Sequence, residues 1–212
     1  MLATLTLSLA LFAGGTPAPG AAAPPAATEA SPGDATELRL ALRDLWTNHI
    51  FWVRSYVFAT HYEDDAGATA AEAAAVANAR AIADAIVPFY GQDAADALFE
   101  LLAGHYGAVK EFAAASAAGD AQGQEAASQA LSANAEAIAD FLDGANPHLP
   151  KDAVLPILVA HGGHHLQQIR AVHAGDFAAE AEVWTAMLGH VYAIADALAN
   201  ALAEQFPDRV NG

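Results

Sequence analysis

Residues 78–85 read NARAIADA, residues 134–141 read NAEAIADF, and residues 190–197 read HVYAIADA. Each segment starts 56 positions after the one before it, and no gap is needed to align them. A fixed interval of this length is typical of a chain built from repeated supersecondary units. The interval therefore predicts the fold more directly than the composition does.

A second set of segments keeps the same interval, with LWTNHIFWV at 45–53, LLAGHYGAV at 101–109 and ILVAHGGHH at 157–165. The midpoint of each predicted turn carries an aspartate, namely Asp64, Asp120 and Asp176. The repeat thus rests on polar residues as well as on the alanine-rich tracts around them.

Apolar residues recur at spacings of three and four, as in Leu38, Leu42, Leu45 and Trp46, which indicates one face of a helix. Strand signals are nearly absent. The sequence predicts an all-α fold, a six-helix bundle built from three tandem 56-residue helical hairpins. The predicted helices cover residues 36–62, 68–88, 92–118, 122–143, 151–174 and 177–205.

The chain divides into an N-terminal segment and one bundle. Leu2 to Ala13 is an uncharged apolar run that is too short for a mature membrane span and is typical of a signal sequence. We predict an extracytoplasmic protein, secreted or in the cell envelope, that contacts a membrane only through this segment if it stays uncleaved. The predicted parts are a signal segment at 1–23, a disordered Ala/Pro/Gly-rich tether at 24–35, a bundle at 36–206 with units of about 36–91, 92–147 and 148–206, and a tail at 207–212.

The charge balance excludes several functions. The chain has 8 Lys and Arg against 25 Asp and Glu, a formal net charge of -17, so it repels nucleic-acid phosphate. It has no Cys, which excludes disulfides and thiolate metal sites. No nucleophile elbow, P-loop or H-E-x-x-H motif occurs, so the sequence favours a binding protein over an enzyme.

One polar layer carries the functional hypothesis. His49 lies 15 residues before Asp64 and Asn78 lies 14 after it, so the two should face each other across the hairpin. At about 1.5 Å per residue, such a pair lies roughly 22 Å from its turn. The same arithmetic in the other two hairpins predicts one buried layer consisting of His49, His105, His161, His190, Asn78 and Asn134.

Buried imidazoles are costly unless they find partners, and two interpretations stay open. The layer is either a hydrogen-bond network that fixes the helix register or a metal site. His161 and His165, at i and i+4 on one helix face, favour the metal. The predicted ligands are His49, His105, His161, His165 and His190. The residues predicted to orient those imidazoles by hydrogen bonds are Asn78, Asn134, Asp84, Asp140 and Asp196.

The donor set predicts the kind of metal. Imidazole without thiolate or carboxylate favours Zn(II), Cu(II) or Ni(II) over Ca and Mg, and over non-haem iron, which typically uses bridging carboxylates. The alternative function is a metal-free extracytoplasmic scaffold that binds a protein partner or a second copy of itself, with the His/Asn layer as a structural network.

Two resemblances add to these predictions. The segment ELRLALRDLW-x2-H-x2-W-x-R, from Glu37 to Arg54, together with the N-x3-I-A-D segments, resembles a set of uncharacterised exported helical-bundle proteins of bacteria. His161-x3-His165 with His190 and Asp196 distantly resembles the hemerythrin family of oxygen-binding di-iron bundles, over the last quarter of the chain only. That family's H-x-x-x-E helix has no counterpart in this sequence.

Overall fold

The computed structural model describes residues 34–210, and every long element in this range is an α-helix, with no strand. The predicted signal segment, almost all of the tether and the last two residues of the tail lie outside the described residues. The predicted extracytoplasmic location therefore stays a prediction. The helices are α1 (Ala35–His61), α2 (Asp65–Asp84), α3 (Val87–Tyr90), α4 (Gln92–Ala117), α5 (Ala121–Ala145), α6 (Lys151–His173), α7 (Phe177–Gln205) and α8 (Pro207–Val210).

Six of these helices have 20 residues or more, and their bounds lie close to the predicted ones. The largest difference is in α2, which was predicted over 68–88 but spans Asp65–Asp84. Its early start follows from Asp64, whose Oδ1 accepts the backbone N–H of Gly67 at 2.9 Å. Its early end follows from Pro88, which has no N–H to continue the ladder and instead lies in the first turn of α3.

The three long-helix turns share one construction. Asp64, Asp120 and Asp176 each cap the following helix by accepting backbone N–H groups at its start. The residue before each aspartate adopts a positive φ, which satisfies the end of the preceding helix. These residues are Glu63, Gly119 and Gly175, with φ of 57°, 65° and 70°. The repeated Gly-Asp dipeptide is thus a helix stop followed by a helix start.

The helices pack as neighbours around a common centre. The pairs joined by these turns, α1 with α2, α4 with α5 and α6 with α7, lie against each other. In addition α2 contacts α4, α5 contacts α6, and α7 contacts α1, so the contacts close into a ring. The first helices of the three pairs, α1, α4 and α6, also contact one another. Side chains on their inner faces therefore meet near one line through the fold.

A buried ion pair joins three of these helices. Glu180 on α7 is 2% exposed and accepts two hydrogen bonds from Arg54 on α1, at 2.6 and 2.8 Å. Gln168 on α6 donates a third at 2.9 Å. The hydrogen bond from Arg54 lowers the pKa of Glu180, and Gln168 adds to the effect. The pair ties the turn-side halves of α1, α6 and α7 together.

The α7 helix is long and apolar enough to cross a membrane by length and composition alone. It packs against both α1 and α6 and carries the buried Glu180 near its start. Its hydropathy is therefore also explained by its position in the helical core.

Candidate metal centre

Four histidines from three helices meet at the centre of the fold. His49 comes from α1, His105 from α4, and His161 and His165 from α6. One ring nitrogen of each lies within 4.8 Å of the ring nitrogens of the other three. All four side chains are buried, and His165 has no exposed surface. No carboxylate belongs to this group, which we call the four-histidine site.

Two of the distances between ring nitrogens match those between ligands of one tetrahedral metal. The Nε2 atoms of His165 and His161 are 3.2 Å apart, and those of His161 and His49 are 3.4 Å apart. Zn–N bonds of about 2.0–2.1 Å in a tetrahedron place adjacent nitrogens about 3.3–3.4 Å apart. Square-planar coordination with bonds of the same length would bring adjacent nitrogens to about 2.9 Å. The spacing therefore fits tetrahedral coordination better.

Hydrogen bonding alone does not satisfy this arrangement. A ring nitrogen of a neutral imidazole either carries one hydrogen or offers one lone pair, so it makes one good hydrogen bond. The Nε2 of His161 has two close Nε2 neighbours, and at most one of these contacts can be such a bond. Five more buried polar atoms in the layer have no hydrogen-bond partner. They are His105 Nε2, His161 Nδ1, His165 Nδ1, Asn78 Oδ1 and Asn134 Oδ1.

Burial keeps the four imidazoles neutral. It lowers the pKa of His49 to about 3, with the neighbouring His105 contributing. It lowers the pKa of His105 to about 4, against a smaller opposing effect of the Asn134 side chain. The pKa values of His161 and His165 are well below 6.5, first through burial and then through repulsion between the imidazolium forms. At neutral pH the lone pairs are thus available to a cation without displacing a proton.

The spacing of the histidines in the sequence corresponds to their meeting in one place. His49, His105 and His161 are 56 residues apart and occupy the same register on α1, α4 and α6, the three helices that contact one another. His165 has no such counterpart, because the equivalent residues are Val53 and Val109. It lies one turn along α6 from His161, and its ring centroid is 4.6 Å from that of His161.

His190 was predicted as a ligand, but the structure places it outside the four-histidine site. Its Nε2 donates to the backbone carbonyl of Ile157 at 3.0 Å. Asn78 and Asn134 donate in the same way to the carbonyls of Leu45 and Leu101, at 3.0 and 2.9 Å. Each carbonyl belongs to the residue four positions before a histidine of the layer. The three side chains therefore bridge the two helices of a pair at the height of the site.

The three aspartates predicted to orient the imidazoles contact arginine or lysine side chains instead. Asp84 lies 3.6 Å from Arg80, and Asp140 lies 2.7 Å from Lys151. Asp196 accepts two hydrogen bonds from Arg43, which lower the pKa of its carboxyl. Each aspartate comes six residues after the bridging residue of its helix. Six residues correspond to a rotation of about 120° around the helix axis, as between His190 and Asp196, so the carboxylates point away from the centre.

Trp46 borders the site and was not singled out as part of it. Its ring centroid lies 5.8 Å from that of His49 and 5.9 Å from that of His161, both edge-on. The apolar spacing placed it on one face of the first predicted helix, and it is 6% exposed. Its place, three residues before His49 on α1, is the signal that could have identified it, because i and i+3 share a helix face.

The fold and the site define an all-helical protein with a buried, carboxylate-free group of four histidines. Comparison with protein-family models, with curated proteins and with solved structures finds no match. Both resemblances drawn from the sequence therefore stay predictions, and the function has to be argued from the site itself.

Proposed function

We propose that this protein binds one divalent transition-metal ion, with Zn(II) the best fit, through His49, His105, His161 and His165. The observation that carries the proposal is the convergence of the ring nitrogens, with Nε2 atoms 3.2 and 3.4 Å apart around His161. One tetrahedral ion gives every converging nitrogen the same partner, whereas hydrogen bonds leave at least one contact unsatisfied.

The donor chemistry narrows the choice of ion. Four neutral imidazoles suit Zn, Cu or Ni, and the tetrahedral spacing favours Zn(II) over the tetragonal geometry of Cu(II). A di-iron centre of the hemerythrin kind would need carboxylates among the ligands, and the four-histidine site includes none. We therefore propose a mononuclear site.

The proposed site follows from a proposed architecture. We infer that the described chain consists of three helical hairpins, α1–α2, α4–α5 and α6–α7, arranged around a pseudo-threefold axis. The inference is supported by the repeated capping aspartates and by the three bridging hydrogen bonds, each joining residues 33 positions apart. A ligand from the same register of each first helix then lies on the axis, where one ion can bind all three.

Metal analysis with two variants tests the proposal. Chelator-treated protein is equilibrated with Zn(II) at pH 7.5, and bound metal is measured by elemental analysis and by competition with a chelator of known affinity. We expect one Zn per chain. His165→Val installs the residue that the other two repeats carry, so the packing is preserved, and it should weaken zinc binding by more than about 100-fold, the upper range for loss of a hydrogen-bonded outer partner.

His190→Asn is the matched control, because asparagine is the residue that bridges the other two hairpins. It should keep the bond to the Ile157 carbonyl and leave zinc affinity unchanged. The proposal is refuted if the chelator-treated protein takes up no stoichiometric metal. It is also refuted if His165→Val binds zinc as tightly as the unmodified protein. Loss of zinc in His190→Asn alone would move the site to a different set of ligands.

A further inference from the structure

Three residues of the four-histidine site line a cavity of about 90 Å³. The lining includes His49, His105 and His161 but not His165. The fourth histidine is therefore excluded from the side on which the other three imidazoles face open space. We call this space the axial cavity.

The walls of the axial cavity follow the repeat. Its lining contains complete sets of three residues 56 positions apart, drawn from all three helix pairs. The apolar sets are Leu42, Leu98 and Val154; Trp46, Leu102 and Leu158; Ile82, Ile138 and Ile194; and Ile86, Leu142 and Leu198. The cavity thus lies on the same pseudo-axis as the three imidazoles. From Leu42 to His49 it extends seven residues along α1, about 10 Å.

The end away from the imidazoles is lined by a hydrogen-bonded group. Tyr90 Oη donates to Gln205 Oε1 at 2.6 Å and accepts from Asn146 Nδ2 at 3.0 Å. Asn146 Nδ2 also donates to the carbonyl of Ala201, and Asn146 is 1% exposed. These polar atoms are already satisfied by the protein. These walls and this end therefore offer an occupant mainly apolar contact, and the indole Nε1 of Trp46 is a buried polar atom without a hydrogen-bond partner.

Three alanines keep the cavity open. Ala135, Ala145 and Ala197 line it at positions where a larger apolar side chain would occupy the space. Protein interiors rarely leave a void larger than a water molecule, and an unfilled void lowers stability in proportion to its volume. An apolar cavity of about 150 Å³ holds benzene or xenon and stays free of water. A volume of 90 Å³ selects something smaller than benzene.

We propose that the axial cavity is a binding chamber for a small uncharged apolar molecule, held against the imidazoles of His49, His105 and His161. Occupancy of the chamber does not require a metal. The contact of its occupant with imidazoles that hold a bound ion rests on the proposed function, because His165 would approach the ion from the opposite side and the other three imidazoles line the cavity.

Xenon is the probe, since it is apolar, uncharged and small enough to fit. The metal-free full chain is titrated under xenon pressure while methyl resonances are followed by NMR. We expect saturable binding with shifts at the lining residue Ile194 and none at Ile169, which is fully buried in a separate cluster around Phe112. Equal shifts at both isoleucines, or shifts that rise linearly without saturation, would overturn the proposal.

A pair of variants on α7 locates the binding. Ala197→Leu places a larger side chain in the cavity and should weaken xenon binding at least tenfold. Ala193→Leu makes the same change one turn earlier at an exposed position and should not alter it. Leu98→Phe fills the cavity from α4 and serves if Ala197→Leu does not fold. Unchanged xenon affinity in a folded cavity variant would contradict the proposal.

Measuring xenon binding and zinc binding on the same protein, with the xenon titration repeated after zinc loading, distinguishes failure of one proposal from failure of the other. Xenon binding without zinc binding would sustain the chamber and remove the metal. Zinc binding without saturable xenon binding would sustain the metal and remove the chamber.

Discussion

Acid should destabilise the metal-free protein strongly between pH 7 and pH 5. In the unfolded chain the four imidazoles titrate near pH 6.5, whereas in the folded chain burial holds the pKa of His49 at about 3 and that of His105 at about 4. The unfolded state therefore binds more protons throughout this interval. The free energy of unfolding is fully present above pH 6.5 and falls as the pH drops toward the folded pKa values.

The magnitude follows from the separation of the two pKa values. At 1.36 kcal/mol per pH unit, His49 and His105 each lower the free energy of unfolding by about 2 kcal/mol at pH 5, together about 4 kcal/mol. The pKa values of His161 and His165 also lie well below 6.5, so these two histidines add to the loss. A domain of this size typically has about 5–15 kcal/mol of stability, so much of it should be lost by pH 5.

Urea unfolding followed by circular dichroism at pH 5, 6, 7 and 8 measures this dependence. His165→Val removes one of the imidazoles whose pKa burial lowers, so it should lose less stability than the unmodified protein between pH 7 and pH 5. Gly163→Ala is the control, because it has open space around it and removes no titratable group, and it should keep the full pH dependence. A free energy of unfolding that is equal at pH 7 and pH 5, or an unchanged slope in His165→Val, would refute the reasoning.

Three further predictions concern stability at pH 7, each measured by urea unfolding. Arg54→Met leaves the Glu180 carboxylate buried without its cation and should lower the free energy of unfolding by about 3 kcal/mol. The double variant Arg54→Met/Glu180→Gln should recover most of this loss. A double variant whose loss equals the sum of the two single losses would contradict the prediction. Asn134→Leu removes a bridging hydrogen bond and should cost about 1–2 kcal/mol, and no loss would show that the bridge contributes nothing. Gly175→Ala forces a positive φ on alanine and should destabilise the protein by about 1 kcal/mol. Gly163→Ala lies in a helix with open space around it and should stabilise the protein by up to about 1 kcal/mol. A stabilising Gly175→Ala together with a destabilising Gly163→Ala would contradict the turn geometry.

Most of the helix bounds were predictable because the signals are local. The aspartates at the turns and the glycines before two of them mark helix starts and stops in the sequence itself. The break at Ala85 and Ile86 was missed because the apolar pattern continues through it, and only the missing N–H of Pro88 interrupts the ladder. Periodicity alone does not detect such an interruption.

The four-histidine site was predictable in part, since residues in the same register of repeated helices lie at the same height. The height of a residue along the bundle does not determine the direction in which its side chain points. His190 lies level with the layer, yet its side chain is turned to the Ile157 carbonyl, as the side chains of the equivalent asparagines are turned to theirs. The axial cavity was not predictable, because it depends on how side chains of six helices fit together across the axis.

The position of His165 connects the repeat to the chemistry. In the proposed threefold arrangement ligands come in threes, and His49, His105 and His161 alone would leave a tetrahedral ion one ligand short. Replacing valine by histidine in one copy, one turn below the layer, adds a fourth donor on one face and leaves the other face to the axial cavity. Installing histidine at the equivalent Val53 or Val109 as well would crowd that same face without adding a position for an ion to use. A single departure from the 56-residue interval would therefore be sufficient to complete the proposed metal site and would also give it two unlike sides.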